Sequence, residues 1–290
     1  MKQLVKCSIL MCCILIISPS ITALGQHPKR HSFEIGPEVY YFMYEEHEPF
    51  VFEGVEIWDK ILMEEEGFFY GVKGAYTYRG WLPSSGEEVK KATDGLTLRC
   101  EARYAIGKVD YDGQTWGGDP ITISDIDDRT MELRPLIGFS RLGRDNESIL
   151  YTGFGYRYLR DDLSEFPGGY ERESNYYYIP IGMNYTSVKR DVWNIGGTCE
   201  FDFLVSGLQK SHLSDWNESL PDIENKQKRG WGLRGSLRIE KGTKANFVIE
   251  PFMRLWAIDN SEIEVVEGLG SVHEPENYTF EGGISIFMRF

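Results

Sequence analysis

Polar and apolar residues alternate along most of the chain, and the alternation is clearest at its C-terminal end. The even positions of the last segment are all apolar or glycine: Tyr278, Phe280, Gly282, Ile284, Ile286, Met288 and Phe290. The odd positions between them are mostly polar and include Glu281 and Arg289, with Phe287 as the exception. Because successive side chains of a β-strand point to opposite faces, this period predicts a strand with one apolar and one polar face.

Nine further segments show the same period, and each is about ten residues or longer, which is the length that a tilted strand needs to cross a bilayer. Their apolar faces begin at Phe33, Phe68, Leu96, Met131, Leu150, Tyr177, Trp193, Trp231 and Phe247. The connections alternate in length, with short ones at 143–146, 187–191 and 241–244. The long connection at 80–95 is the exception to this alternation. The pattern predicts an all-β protein: a closed antiparallel up-and-down transmembrane β-barrel of about ten strands.

The first residues differ from the rest of the chain. Lys2 and Lys6 precede an apolar run from Cys7 to Ile17, and small residues follow at Ala23 and Gly25. The run is too short to span a bilayer comfortably, so residues 1–25 are predicted to be a cleaved signal peptide and residues 26–290 the barrel domain.

The polar faces of the predicted strands carry charges of both signs in nearly equal number. Balanced charge inside a narrow cylinder favours mutual ion pairing, because an unpaired charge in a confined interior is costly and Arg can bridge two carboxylates. We therefore predict a charge network that fills the lumen, formed by Glu34, Glu38, Lys73, Arg99, Glu101, Arg103, Glu132, Arg134, Arg157, Glu200, Asp202, Arg234, Arg238, Glu250, Arg254 and Glu281. A selective path for ions or solutes is the alternative.

Negative charge is concentrated in the long connections. The formal net charge of the chain is −14, which makes nucleic acid a poor partner because its phosphates would be repelled. We expect the loops around Trp58, Asp119, Pro167, Asp215 and Val265 to lie outside the cell, and both termini to lie in the periplasm. Ordinary solvated loops would show the same acidity without any ligand.

Three stretches resemble the small, porin-like outer-membrane β-barrel proteins of Gram-negative bacteria: residues Met131 to Tyr185, residues Gly107 to Gly113 (GKVDYDG), and the final strand. In that group a C-terminal aromatic residue, preceded by apolar residues at alternate positions, is recognised by the barrel-assembly machinery. The resemblance therefore implies that Ile284, Ile286, Met288 and Phe290 form an assembly signal. It also implies two partners, outer-membrane lipid with lipopolysaccharide and the assembly machinery, and it does not identify an extracellular ligand.

Three functions remain open from the sequence. The preferred one is a non-enzymatic envelope or surface-interaction role with no cofactor, no metal and no catalytic residues. The second is a narrow transport channel. The third is a hydrolase of the omptin type, because the omptin proteases are also ten-stranded barrels and use paired Asp residues and an Asp–His pair at the outer rim.

The candidates for such a hydrolase lie in the presumed outer loops. They are His47, His212 and His273 and two adjacent acidic pairs, Asp127-Asp128 and Asp161-Asp162. None of them lies in an omptin-like motif, but a rim histidine held by two carboxylates would favour the hydrolase. Asp125, Asp127 and Asp128 could together hold Ca²⁺, although they lack the spacing of an EF-hand loop.

Overall fold

The computed structural model describes residues 29–52, 55–80, 93–115, 118–143, 145–187, 193–242, 246–266 and 270–290. The predicted signal peptide and most of the long connection at 80–95 lie outside these residues. Among the described residues, no helix is long and apolar enough to cross a membrane.

Strands make up almost all of the described chain. They are β1 (His31–Phe52), β2 (Val55–Arg79), β3 (Thr93–Gln114), β4 (Pro120–Leu142), β5 (Asn146–Gly153), β6 (Gly155–Asp162), β7 (Glu171–Ser187), β8 (Asn194–Ser211), β9 (Ile223–Gln227), β10 (Gly230–Gly242), β11 (Asn246–Ile258), β12 (Glu264–Val266), β13 (Gly270–Val272) and β14 (Glu276–Arg289). One short helix, α1 (Leu213–Trp216), follows β8.

The strands close into a ring in which neighbours are antiparallel. β5 and β6 both pair with β4 and with β7, so together they occupy one position in the wall, with a break at Phe154. β9 and β10 in the same way share the position beside β8. The ring closes where β1 pairs with β14 and where β7 pairs with β8. The predicted closed barrel of about ten strands is therefore confirmed.

A belt of apolar side chains surrounds the wall. It includes Phe68 and Tyr70 on β2, Ile137 and Phe139 on β4, and Ile195 on β8, all well exposed. These positions are outward-facing members of the alternating pattern, and a belt of this kind faces lipid in membrane barrels. Leu255 is an exception, because the pattern places it outward whereas it is buried.

The belt covers only part of each long strand, so the barrel has one end on either side of the belt. The terminal end holds Lys29 and Phe290, and the loop end holds the β1–β2 and β3–β4 hairpins. β1 has 22 residues and β2 has 25, so both strands extend past the belt at the loop end. The prediction of long loops around Trp58 and Asp119 was therefore wrong, because most of both acidic stretches continue the wall as strand.

Candidate functional site

Ion pairs between basic side chains and carboxylates fill the terminal half of the barrel. Arg103 donates to Glu38 at 2.8 Å and to Glu281 at 2.7 Å, and Arg254 donates to Glu281 at 2.8 Å. Arg234 bridges Glu132 and Asp202. The other members of the predicted lumen set also pair with one another, through Arg99–Glu34, Arg99–Glu101, Arg134–Glu101, Arg134–Glu200, Lys73–Glu250, Arg238–Glu34, Arg238–Glu250 and Arg157–Glu281.

Little space remains between these pairs. The cavity that they line has a volume of about 170 Å³, which is room for on the order of ten water molecules. Toward the loop end the polar lumen gives way to a buried apolar layer that includes Phe42, Phe69, Val109 and Ile126, each no more than 1% exposed. These apolar side chains interleave with the polar groups of the loop end, since Ile126 lies closer to the loop end of β4 than Asp128 does.

A second group of charged residues lies at the loop end, on the far side of the apolar belt. Glu65 of β2, Asp128 of β4 and Asp161 of β6 point inward, and their carboxylate oxygens lie within 4.8 Å of one another. Their residue exposures are 3%, 7% and 9%. We call these three residues the carboxyl cluster. Within the described part of the chain, one oxygen of Glu65, one of Asp128 and both of Asp161 accept no hydrogen bond from outside the cluster, and Asp161 shares carboxyl–carboxyl hydrogen bonds with Glu65 and Asp128 when one member of a pair is protonated.

The alternation of β4 directs Asp128 inward. Every second residue from Leu142 back to Ile126 is buried, so Asp128 lies on the same face as the lumen residues Glu132 and Arg134. Asp127 faces outward and pairs with Lys108 at 2.9 Å. A bulge lies closer to the loop end, where the register with β3 shifts between Val109 and Tyr111 and Asp125 has a positive φ of 66°, so it exchanges the faces of the residues before Ile126 and not that of Asp128.

Arg172 of β7 lies beside the carboxyl cluster but is bonded to other acids. Its guanidinium donates to Glu274 at 3.0 Å and also to Glu46, and the Tyr44 hydroxyl donates to Glu46 at 3.0 Å. Glu274 precedes β14, and its backbone N–H donates to the Ser261 hydroxyl at 2.8 Å. Arg172 thus ties the segment between β11 and β14 to the inside of the wall.

These surroundings shift the acids at the loop end toward their neutral forms. Burial, followed by the neighbouring charges, holds the pKa of Glu65 and of Asp128 well above their ordinary values. Burial raises the pKa of Asp161 to about 6, against the opposing charge of Arg172. Burial and the charge of Glu46 raise the pKa of Glu274 to about 8. One guanidinium therefore compensates several buried carboxyls only in part.

The histidines occupy separate places. Nδ1 of His212 lies 3.2 Å from Asp222, and its Nε2 lies 3.2 Å from Glu173, so one rim histidine is held by two carboxylates. Glu173 follows Arg172 directly, so their side chains take opposite faces of β7. His212 therefore lies across the wall from the carboxyl cluster. His47 contacts Glu45 at 2.9 Å.

Among the described residues, two groups of side chains could hold a metal ion, and neither is the set considered from the sequence. They are the carboxyl cluster and a group of Glu171, Glu173 and His212. Asp125, Asp127 and Asp128, which the sequence offered as possible Ca²⁺ ligands, do not converge, since Asp127 and Asp128 lie on opposite faces of β4.

The last strand has the geometry that the sequence predicts. Ile284, Ile286, Met288 and Phe290 all face outward and are 37–51% exposed. The backbone N–H of Phe290 donates to the carbonyl of Phe33 at 2.9 Å, so the final residue helps to close the ring. Its role as an assembly signal stays a prediction.

The sequence interpretation named Asp161 as a member of an adjacent pair and Asp128 as a member of another pair and of the possible Ca²⁺ set, and it missed Glu65, Arg172 and Glu274. A signal for two of these was present. If the alternation of β2 continues from Phe69 and that of β7 from Tyr176, Glu65 and Arg172 fall on the inward face. Glu274 lies outside the strands, so periodicity could not have found it.

Comparison with known proteins identifies the fold. No protein-family profile matches the chain, and no curated protein matches it in sequence. The structure is similar to that of the outer-membrane protease OmpT from Escherichia coli, with a TM-score of 0.57 and 13% identity, over 91% of this chain and 97% of that one. The similarity to the TodX monoaromatic hydrocarbon channel, in a deletion mutant, is weaker: TM-score 0.31 and 11% identity over 90% and 91% of the two chains.

The similarity to OmpT shows that the chain has the fold of an outer-membrane β-barrel. It also overturns one expectation. The prediction that the chain is not an enzyme was wrong to set catalysis aside, because the barrel that it matches is a protease.

Proposed function

We propose that this chain is an outer-membrane hydrolase that cleaves peptide bonds at the loop end of its barrel. The observation that carries the proposal is the carboxyl cluster, in which Glu65, Asp128 and Asp161 present buried oxygens that accept no hydrogen bond from outside the cluster. A charged group in such a place does not stabilise the fold by itself, and buried polar groups without partners concentrate at functional sites.

The cluster has the groups that hydrolysis requires. A carboxylate within hydrogen-bond reach of a water molecule can accept its proton as the water attacks a carbonyl carbon. Neighbouring carboxyls hold that water in place and leave room for a second proton transfer to the departing amine. The fold supports the proposal only in showing that a barrel of this shape can carry a protease.

The acidic loop end favours a cationic substrate. Glu66, Asp110, Asp112 and Asp127 are exposed on the outer face of the wall near the cluster, and a surface of one sign draws ligands of the opposite sign toward it. We therefore infer that basic peptides are the preferred substrates, and that the loop end lies outside the cell with both termini in the periplasm.

The proposal is tested with refolded protein and a mixture of basic peptides, with the products read by mass spectrometry. We expect cleavage by the unchanged protein, a loss of about a hundredfold or more in Asp161→Asn, and near-normal cleavage by Asp162→Asn. Asp162 is a matched control because it is adjacent, has the same chemistry and faces outward. Absence of cleavage, or equal rates for the two variants, would reject the hydrolase.

Assembly in the outer membrane has a separate test. Deletion of Phe290 should sharply reduce folded protein in the outer membrane, because the closing strand loses its terminal residue and an open edge is not tolerated in lipid. Deletion of Val265, which lies in a short exposed hairpin, is the control. Equal amounts of heat-modifiable, folded protein would argue against the assembly signal.

A further inference from the structure

The loop end contains more negative charge than its positive groups can balance. Among the described residues, five acids are buried there: Glu46, Glu65, Asp128, Asp161 and Glu274, each no more than 9% exposed. Arg172 is the guanidinium that acts on Glu65, Asp128, Asp161 and Glu274, and its ion pairs are with Glu46 and Glu274. The carboxyl cluster is therefore left without an ion-pair partner of its own among the described residues.

We propose that the carboxyl cluster of Glu65, Asp128 and Asp161 binds a Ca²⁺ ion. The site goes beyond the proposed function, because it requires only that a cation occupy the cluster and would exist whether or not the protein cleaves peptides.

The geometry suits this occupant. Oxygens from three separate strands converge within 4.8 Å, and the orphaned oxygens are buried, unlike those of a solvated acidic surface. When each carboxylate binds through one oxygen, the three supply half of the six oxygens that Ca²⁺ takes at least, water supplies the others, and the second oxygen of each carboxylate stays free for the proton transfer proposed above. Nitrogen and sulfur ligands are absent from the cluster, and this favours a hard cation over zinc.

The position of the three ligands explains what a bound ion would do. β2, β4 and β6 are not neighbours in sequence, and β2 and β6 do not pair with each other. An ion held by all three would cross-link the wall at a level where the lipid-facing belt no longer stabilises it. A bound ion stabilises the folded state in proportion to its occupancy, so the loop end should become more resistant to unfolding as Ca²⁺ is added.

The chain offers a matched control for two of the ligands. Asp127 lies on the same strand as Asp128 but faces outward, and Asp162 has the same relation to Asp161. Asp127→Asn and Asp162→Asn each remove one carboxylate and the same net charge as Asp128→Asn and Asp161→Asn. Non-specific attraction of Ca²⁺ to an acidic protein is therefore reduced equally in both members of each pair.

The experiment is calorimetric titration of the full-length refolded protein with CaCl₂ after treatment with chelator, and heat-modifiable migration verifies the fold of each variant. We expect one saturable site in the unchanged protein and in Asp127→Asn and Asp162→Asn. We expect affinity to fall about tenfold or more in Asp128→Asn, Asp161→Asn and Glu65→Gln, because ligand charge sets Ca²⁺ affinity.

A second readout keeps the proposal falsifiable if a variant folds poorly. Ca²⁺ should raise the unfolding temperature of the unchanged protein, and MgCl₂ should do so less, because Mg²⁺ dehydrates reluctantly. No saturable binding to the unchanged protein, or equal affinity in the inward and outward variants, would overturn the site. Peptide cleavage is not part of either readout, so loss of the hydrolase proposal would leave this result intact.

Discussion

The two halves of the barrel interior treat buried charge in opposite ways. In the terminal half, arginines and carboxylates alternate around the wall, and Arg103 and Arg234 each bridge two acids. At the loop end, the carboxyl cluster is left beside one arginine that is already bonded elsewhere. Compensated charge fills space and fixes the wall, whereas uncompensated charge destabilises the fold and is retained where it has another use.

The largest effect should follow from breaking the compensated half. Arg234→Ala leaves Glu132 and Asp202 buried without their guanidinium, and removal of one partner of a buried pair costs about 3–5 kcal/mol. The free energy of unfolding, measured in urea, should fall by that order. Arg141→Ala is the control, since Arg141 is exposed at the terminal end. If the two variants are equally stable, the lumen pairs are not the main support of the wall.

A smaller effect should be a pH dependence of stability at the loop end that the terminal half does not share. The pKa of Glu274 is raised from 4.5 to about 8, so its neutral form is favoured by folding. The stabilisation is fully present below about pH 4.5 and is lost as the pH rises through about 8. Each pKa unit corresponds to about 1.4 kcal/mol, which makes several kcal/mol an upper bound.

Hydrogen exchange measures that pH effect locally. After correction for the intrinsic exchange rate, amides of β12 and β13 and the start of β14 should lose protection between pH 5 and pH 9. Glu274→Gln should flatten the change, because an amide does not titrate. Equal pH dependence in the unchanged protein and in Glu274→Gln would show that this carboxyl does not cause the loss of protection.

The smallest effect has the opposite sign. Asp128→Asn removes one of several like charges, so in chelator at pH 8 it should stabilise the protein by on the order of 1 kcal/mol. Asp127→Asn should change stability little, because its ion pair with Lys108 is exposed and such pairs contribute about 0–1 kcal/mol. Destabilisation by Asp128→Asn would mean that the cluster is compensated after all.

The same contrast explains what the sequence could predict. Inside the belt, Leu98 faces lipid and Arg99 faces the lumen, so polarity reports the face of each residue and the strands are visible. Beyond the belt the outer face meets polar surroundings and the inward face holds apolar residues such as Met63 beside acids such as Glu65, so runs such as Glu64-Glu65-Glu66 carry no alternation. The strand ends at the loop end, and with them the carboxyl cluster, could therefore be located only by extending the alternation outward from the belt.

Infrared spectroscopy of the carboxyl groups tests the central contrast most directly. In metal-free buffer at pH 6, the unchanged protein should show a protonated-carboxyl band that Asp161→Asn reduces and Asp162→Asn does not, because burial raises the pKa of Asp161 to about 6. Added Ca²⁺ should reduce the same band by displacing the proton. A spectrum without that band, or one that both variants change equally, would contradict the uncompensated cluster.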